Sequence, residues 1–176
     1  MKVIFLDVDG VLLPIGSKDK KIPEEKIILL KKLVEETNSR IVLSSTWRLN
    51  ANRENYEDVD YENLVKILNK YGLEIYDRTP AKQIKTVKNK IITKNGMTIV
   101  NYVIDRYSTR GAEISEWLEN KSTESFVILD DQNFYYEFFS LEDNFVQIKD
   151  PYIGLQEIDI EKAKSILNIK RKIRIK

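Results

Sequence analysis

The chain of 176 residues contains no cysteine and no histidine. Without cysteine it can have neither a disulfide framework nor thiolate chemistry. Without histidine it lacks the usual general base and the most common zinc ligand. Any acid, base or metal ligand must therefore be a carboxylate, hydroxyl, amide or amine, and oxygen ligands select hard cations such as Mg²⁺.

Long apolar runs are also missing. No run approaches the roughly 18 apolar residues that span a bilayer. The N-terminus starts directly on the apolar run 3–6, without the basic start and longer apolar stretch of a signal peptide. The hydrophobic content of 42% and the charged content of 32% are typical of a globular protein. We therefore expect one domain over residues 1–176, no membrane partner and a cytoplasmic location.

Positive charge is concentrated at the C-terminus. Residues 160–176 hold seven Lys or Arg side chains and one acidic side chain, Glu161. The basic tail at 168–176 could contact the phosphates of RNA or DNA. A solvated terminus that aids solubility is the simpler alternative, and we give it more weight.

Apolar runs and amphipathic stretches alternate along most of the chain. Helices are predicted at 23–37, 61–71, 111–120 and 159–168, and strands at 2–6, 40–43, 73–76, 126–129 and 145–149. This strand–helix alternation predicts an α/β fold with a doubly wound parallel sheet. Two β-rich runs around Asn95-Gly96 interrupt it and predict a small β-hairpin insertion at 86–107.

Polar side chains follow three of the predicted strands directly. The first strand is followed by Asp7 and Asp9, with Gly10 after them. The second is followed by Ser44, Ser45 and Thr46, and a later one by Asp130 and Asp131. The carboxyl ends of parallel strands meet at one edge of a sheet, so we expect the four carboxylates to converge there. Crowded carboxylates repel each other, and a divalent cation relieves that repulsion. The pattern indicates a phosphoryl-transfer site.

The order of these strand ends resembles the motifs of the haloacid dehalogenase (HAD) superfamily. The segment Asp7–Leu12 is similar to the first motif, Ser45 (or Ser44) to the second, and Asp130-Asp131 to the fourth. Arg110 stands where a basic third-motif residue is expected, with Lys121 as the alternative. Over about residues 2–135, the chain resembles the HAD domains of Swiss-army-knife RNA repair proteins.

The resemblance implies a HAD-like Rossmannoid core and a role for each motif residue. Asp7 would be the nucleophile that forms an aspartyl phosphate, and Asp9 would act as the acid and base. Ser45 and Arg110 would contact the transferring phosphoryl group. Mg²⁺ would bind Asp7, the backbone carbonyl of Asp9 and one or both of Asp130 and Asp131, which the sequence does not separate.

The remaining candidates concern the substrate. We expect Gly10, Ser44, Thr46 and Arg48 to line the place where the phosphate binds, although a packed aromatic at Trp47 with a surface charge at Arg48 is the simpler interpretation of that pair. The spacer at residues 13–40 is too short for a large cap domain. An open site suits a macromolecular or bulky phosphate ester. We expect the substrate to be a phosphorylated small molecule or a nucleic-acid end.

Three functions are compared on this basis. Hydrolysis of a phosphomonoester with Mg²⁺ explains most of the motif residues. Carbon–halogen hydrolysis would use Asp7 but has no need of Asp9. A catalytically weak phosphate- or nucleic-acid-binding module is the non-enzyme alternative. The aromatic run 135–139 could stack bases, but core packing explains it more simply.

Overall fold

Helices and strands alternate along the chain, as the hydrophobic pattern predicts. The computed structural model describes residues 1–18, 21–49, 59–82, 85–92 and 98–169. In chain order its main elements are β1 (Lys2–Leu6), α1 (Glu24–Thr37), β2 (Ser39–Leu43), α2 (Val59–Lys70), β3 (Ile75–Arg78), β4 (Thr86–Ile92), β5 (Thr98–Ile104), α3 (Arg110–Glu119), β6 (Ser125–Asp130), β7 (Phe145–Gln147) and α4 (Glu157–Asn168). Short 3-10 helices lie at Thr46–Arg48, Arg106–Ser108, Tyr136–Phe139 and Glu142–Asn144.

Five of the strands form one parallel sheet in the order β3-β2-β1-β6-β7. The chain adds strands on one side of β1 first and returns to its other side with β6, which makes the sheet doubly wound. The predicted fold class is confirmed. In such sheets ligands bind outside the carboxyl ends of the strands where the order reverses, which here is between β1 and β6.

The sheet has a packed layer on each face. Helices α1, α2 and α4 pack on the face that carries Ile4 and Leu6, and α3 packs on the face that carries Val3 and Phe5. Successive side chains of a strand point to opposite faces, so burial on both faces explains why β1 is a continuous apolar run. Leu6 pairs with Leu43 of β2 and with Leu129 of β6, which places the ends of these three strands side by side.

The insertion forms a separate two-stranded sheet. Strands β4 and β5 pair antiparallel, which confirms the predicted hairpin. Its Asn95-Gly96 turn lies outside the described residues, and the part of the chain that the structure describes contains no large cap. The bounds of the insertion at 86–107 stay a prediction. The basic tail at 168–176 also stays a prediction, because nothing is described beyond Ile169.

Most element boundaries differ from the prediction by one or two residues, and two of the differences have a local physical reason. The strand expected at 73–76 forms at Ile75–Arg78, because the Leu73 N–H still donates to Leu68 O at the end of α2. Helix α4 begins at Glu157 rather than at residue 159, since Gln156 and Asp159 form a capping box. Within the described ranges, no helix has the length and apolarity that crossing a membrane requires.

Candidate active site

Three aspartates meet at the point where β1 and β6 end. Asp7, Asp130 and Asp131 each offer a carboxylate oxygen, and these oxygens lie within 4.8 Å of one another. Asp7 and Asp130 are buried. Burial raises the pKa of Asp130, and the charge of Asp7 adds to this rise although Arg110 opposes it. Burial and the charge of Asp7 also raise the pKa of Asp131. The cluster is therefore short of positive charge.

Arg110 lies against this cluster as the first residue of α3. Its Nη1 forms an ion pair with Asp7 Oδ2 at 2.9 Å and donates a hydrogen bond to Asp130 Oδ2. Burial alone would lower the pKa of Arg110, but the charges of Asp130 and Asp7 raise it well above its usual value. The alternative basic residue, Lys121, pairs instead with Asp77 at 3.2 Å. Arg110 is the cation that the structure brings to the aspartates.

The Asp130 carboxylate is held by further donors. The hydroxyl of the buried Tyr136 donates to Oδ2 at 2.9 Å, and the Gln132 N–H donates to Oδ1 at 3.0 Å. Tyr136 belongs to the aromatic run that the sequence assigns to the core, and it is indeed buried there. Its hydrogen bond to the cluster is a role that the sequence pattern did not predict.

Gly10 makes room for Asp131. Its φ is +73°, and a Cβ atom at this position would lie 2.7 Å from the Asp131 Cγ. Any other residue would push the carboxylate away and would also strain the backbone. Gly10 is predicted to line the place where the phosphate binds, and the side chain that lies against it in the structure is that of Asp131.

Of the two adjacent serines, Ser44 has the geometry of a ligand contact. Its N–H donates to Leu6 O, which continues the pairing of β2 with β1 and sets Ser44 level with Asp7. Side chains alternate along a strand, so Ser44 lies on the same face of the sheet as Val42, and Asp7 lies on the same face as Phe5. This is the face that α3 covers. Its side chain is buried, and its Oγ has no hydrogen-bond partner among the described residues. Ser45 Oγ instead accepts from the Trp47 N–H.

Asp9 stands apart from the three-aspartate cluster. Its side chain is exposed, and its Oδ2 accepts a hydrogen bond from Trp47 Nε1 at 2.9 Å. The cluster that the described residues form includes three of the four expected carboxylates, and the part of the Asp9 carboxylate in it stays a prediction. Its backbone carbonyl as a metal ligand stays a prediction.

The family of the chain follows from a comparison with known proteins. A family model described as the HAD domain in Swiss Army Knife RNA repair proteins matches residues 3–160. The chain belongs to this family. The match contains every strand end described above and confirms the identity that the motifs suggest. No curated protein and no solved structure matches the chain.

Arg48, which is predicted to bind substrate, has its guanidinium bound by partners within this HAD domain. Its substrate contact stays a prediction. Arg48 is buried, and its guanidinium donates to Ser45 O, to Thr79 O at 3.1 Å and to Pro80 O at 3.3 Å. It also forms an ion pair with the buried Glu113. A buried guanidinium without such partners would be very costly, so these contacts stabilise it in its buried position.

The Arg48–Glu113 pair lies beneath the active-site edge of the HAD domain. Glu113 Oε1 also accepts from the Lys82 N–H at 2.6 Å, so one carboxylate connects α3 to the segments after β2 and β3. Glu113 lies in the first turn of α3, and no local sequence pattern predicts its ion pair with Arg48. Thr46 is exposed at the start of its 3-10 helix, and its substrate contact stays a prediction.

Proposed function

We propose that this HAD domain is a Mg²⁺-dependent phosphomonoester hydrolase that works through an aspartyl phosphate on Asp7. The observation that carries the proposal is the cluster of Asp7, Asp130 and Asp131 within 4.8 Å, with Arg110 bound to two of its members. A nucleophilic carboxylate beside a cation site and a fixed guanidinium is what phosphoryl transfer requires.

The donor set fits Mg²⁺. The chain has no histidine or cysteine, and the cluster offers only carboxylate oxygens, the ligands of a hard cation. Asp7 and one or both of Asp130 and Asp131 would hold the ion, together with the Asp9 carbonyl. Bound Mg²⁺ supplies Lewis-acid stabilisation of the phosphoryl oxygens and offsets the repulsion between the carboxylates.

The residues of the chain divide the chemistry between them. Asp7 attacks phosphorus, and the bond to the leaving oxygen breaks as the bond to Asp7 forms. Asp9 gives its proton to the leaving oxygen and then takes one from the water that hydrolyses the aspartyl phosphate. The indole N–H of Trp47 orients the Asp9 carboxylate for both steps.

Two further groups stabilise the transferring phosphoryl group. Arg110 neutralises negative charge next to Asp7, where a planar guanidinium can bind phosphate oxygens. Ser44 is proposed in place of Ser45 as the donor to a phosphoryl oxygen, because its buried hydroxyl is unpartnered among the described residues. Removing either group would leave charge on the transition state uncompensated.

We further propose that the phosphate is at the end of a nucleotide or a nucleic acid. Two observations support this substrate class. The family occurs in RNA repair proteins, and the described part of the chain contains no large cap that would restrict the site to small molecules.

The test is phosphate release by the purified protein. With Mg²⁺, the wild type should hydrolyse glycerol 2-phosphate and an end-phosphorylated oligonucleotide, and chelation of Mg²⁺ should stop both reactions. Asp7→Asn should lower kcat by more than about 10³-fold, the scale seen when a catalytic nucleophile is lost. The exposed Glu142→Gln is the matched control and should keep wild-type turnover. Wild-type turnover in Asp7→Asn would refute the mechanism. RNA binding without Mg²⁺ and without turnover of any ester would favour the binding-module alternative.

A further inference from the structure

Three aromatic rings, two of them exposed and one half-buried, form a cluster in the segments that adjoin the active site, which we call the aromatic platform. Its members are Tyr107, Phe138 and Phe139, which contact one another edge to face at centroid distances between 5.0 and 6.2 Å. Tyr107 is 62% exposed and Phe138 is 40% exposed. The Arg106 guanidinium lies over the Phe138 ring at 4.0 Å. Core packing, which the sequence favours for this run, accounts for Tyr136 and in part for Phe139, which packs against the core, but not for the exposed Phe138.

Both segments of the platform lead directly into the active site. Tyr107 lies three residues before Arg110, which contacts Asp7. The 3-10 helix that carries Phe138 begins with Tyr136, whose hydroxyl donates to Asp130. Each segment of the platform therefore also carries a residue that contacts the aspartate cluster.

Close packing holds the two segments together. Thr109 Oγ1 donates to Phe134 O at 3.2 Å, and the Phe134 ring lies 4.4 Å from the Arg110 guanidinium. At Gly111 a Cβ atom would lie 2.6 Å from Phe134 O and 2.9 Å from a ring carbon of Phe139, so only glycine permits this approach. The platform is thus positioned by the same helix that positions Arg110.

The backbone around the platform also departs from its preferred conformation. Tyr135 and Ser140, which flank the 3-10 helix of Phe138, both have left-handed backbone with φ of +61° and +55°. Residues with side chains adopt this conformation rarely, and such departures concentrate at functional sites.

We propose that the aromatic platform stacks a nucleobase next to the phosphate that the active site hydrolyses, so that the substrate is the single-stranded end of a nucleic acid. This inference rests on the proposed function and names its substrate. Exposed rings bind single strands because every base has a face that can stack on them. The charge of Arg106 suits the same ligand, since a guanidinium attracts backbone phosphates and also stacks on bases.

Binding can be measured apart from turnover. Asp7→Asn protein would be titrated with end-phosphorylated RNA and DNA oligonucleotides that carry 2-aminopurine at the last base, whose fluorescence falls when it stacks. Adding Tyr107→Ala should weaken binding roughly 5- to 100-fold, the scale for losing one base–aromatic contact, and should restore the fluorescence. Tyr107→Trp should retain both signals. The matched control is Tyr152→Ala, which removes a 71% exposed tyrosine outside the platform and should change neither.

An abasic substrate gives a second test. An oligonucleotide that keeps the terminal phosphate but lacks the last base should bind the Asp7→Asn protein weakly. Its affinity should match that of the normal substrate for the protein that also carries Tyr107→Ala. The two losses should not add, because they remove the same contact. The proposal would be overturned if Tyr107→Ala left the affinity of the Asp7→Asn protein unchanged, or if the two losses added. The exposed rings would then be a surface for a protein partner.

The two proposals fail differently. In the active protein, Tyr107→Ala should lower kcat/KM for the oligonucleotide but leave glycerol 2-phosphate turnover within about two-fold of wild type, because that ester has no ring to stack. If the wild type hydrolyses glycerol 2-phosphate and Tyr107→Ala has no effect on oligonucleotides, only the platform is refuted. If no ester is hydrolysed, the proposed function is refuted, while the fluorescence titration still decides whether the platform binds a base.

Discussion

At the scale of single residues, the buried hydroxyl of Ser44 is the feature that most needs a physical explanation. A buried polar group without a partner costs free energy unless a ligand or a water satisfies it. Ser44 is 1% exposed, and its Oγ has no partner among the described residues. It lies level with Asp7 on the same face of the sheet. A phosphoryl oxygen bound at Asp7 would satisfy it.

Substitution of each serine separates their roles. We expect Ser44→Ala to lower kcat/KM for a phosphate ester about 10²-fold, as the loss of one transition-state donor does, with little loss of stability. Ser45→Ala removes the acceptor for the Trp47 N–H and should instead cost about 1 kcal/mol of unfolding free energy, with nearly normal turnover. Steady-state kinetics and urea unfolding of both variants measure this. The reverse order of activities would return the catalytic role to Ser45.

At the scale of elements, α3 is the part that has to be placed accurately, because it carries Arg110. Its position is fixed from several sides. The Trp117 ring contacts Phe5 of β1 edge to face at 5.2 Å. The Trp117 indole N–H donates to Asp77 Oδ2 of β3 at 3.0 Å, and Glu113 forms an ion pair with Arg48. These contacts connect α3 to three neighbouring strands or strand ends.

The Asp77 contact predicts a pH dependence. Burial raises the pKa of Asp77, but hydrogen bonds from the Arg78 N–H, Trp117 and Lys121 outweigh it and lower the pKa overall. A lowered carboxyl pKa contributes stability above the unfolded pKa of about 3.9, and this is lost as pH falls through the folded pKa. Asp77→Asn should therefore lower the unfolding free energy at pH 7 by less than about 1 kcal/mol, since the side chain is partly exposed.

Urea unfolding from pH 7 to pH 3 checks the sign. The difference between the wild type and Asp77→Asn should stay constant down to about pH 5 and shrink below about pH 4. The exposed Glu142→Gln serves as the control and should show no such trend. A difference that grows toward acid pH would contradict the assigned contacts.

How much the sequence could predict also differs between elements. The parallel sheet and the aspartates at its strand ends follow from local apolar runs and the polar residues directly after them. The pairing of Arg48 with Glu113 joins residues 65 positions apart, and no local pattern marks it. The choice between Ser44 and Ser45 depends on the register of β2 with β1, which the pairing along both strands sets and the hydrogen bond from the Ser44 N–H to Leu6 O continues. Long-range contacts of this kind become visible only in the fold.

At the scale of the whole molecule, the topology assembles the site. Neighbouring strands β1 and β6 bring Asp7 next to Asp130, although more than a hundred residues separate them in the chain. Helix α3 then adds Arg110 from one face. The strand order reverses at this edge, where ligands of such sheets bind. The fold therefore accounts for the place of the site, and the residues account for its chemistry.

The most direct test of the central claim is to trap the covalent intermediate. Wild-type protein would be mixed with Mg²⁺ and an end-phosphorylated oligonucleotide and quenched with borohydride, which reduces an aspartyl phosphate to homoserine. Peptide mass spectrometry would then identify the modified position. We predict homoserine at position 7, and none when the substrate is omitted. Phosphate release with an unmodified Asp7, or with homoserine at another aspartate, would contradict Asp7 as the nucleophile.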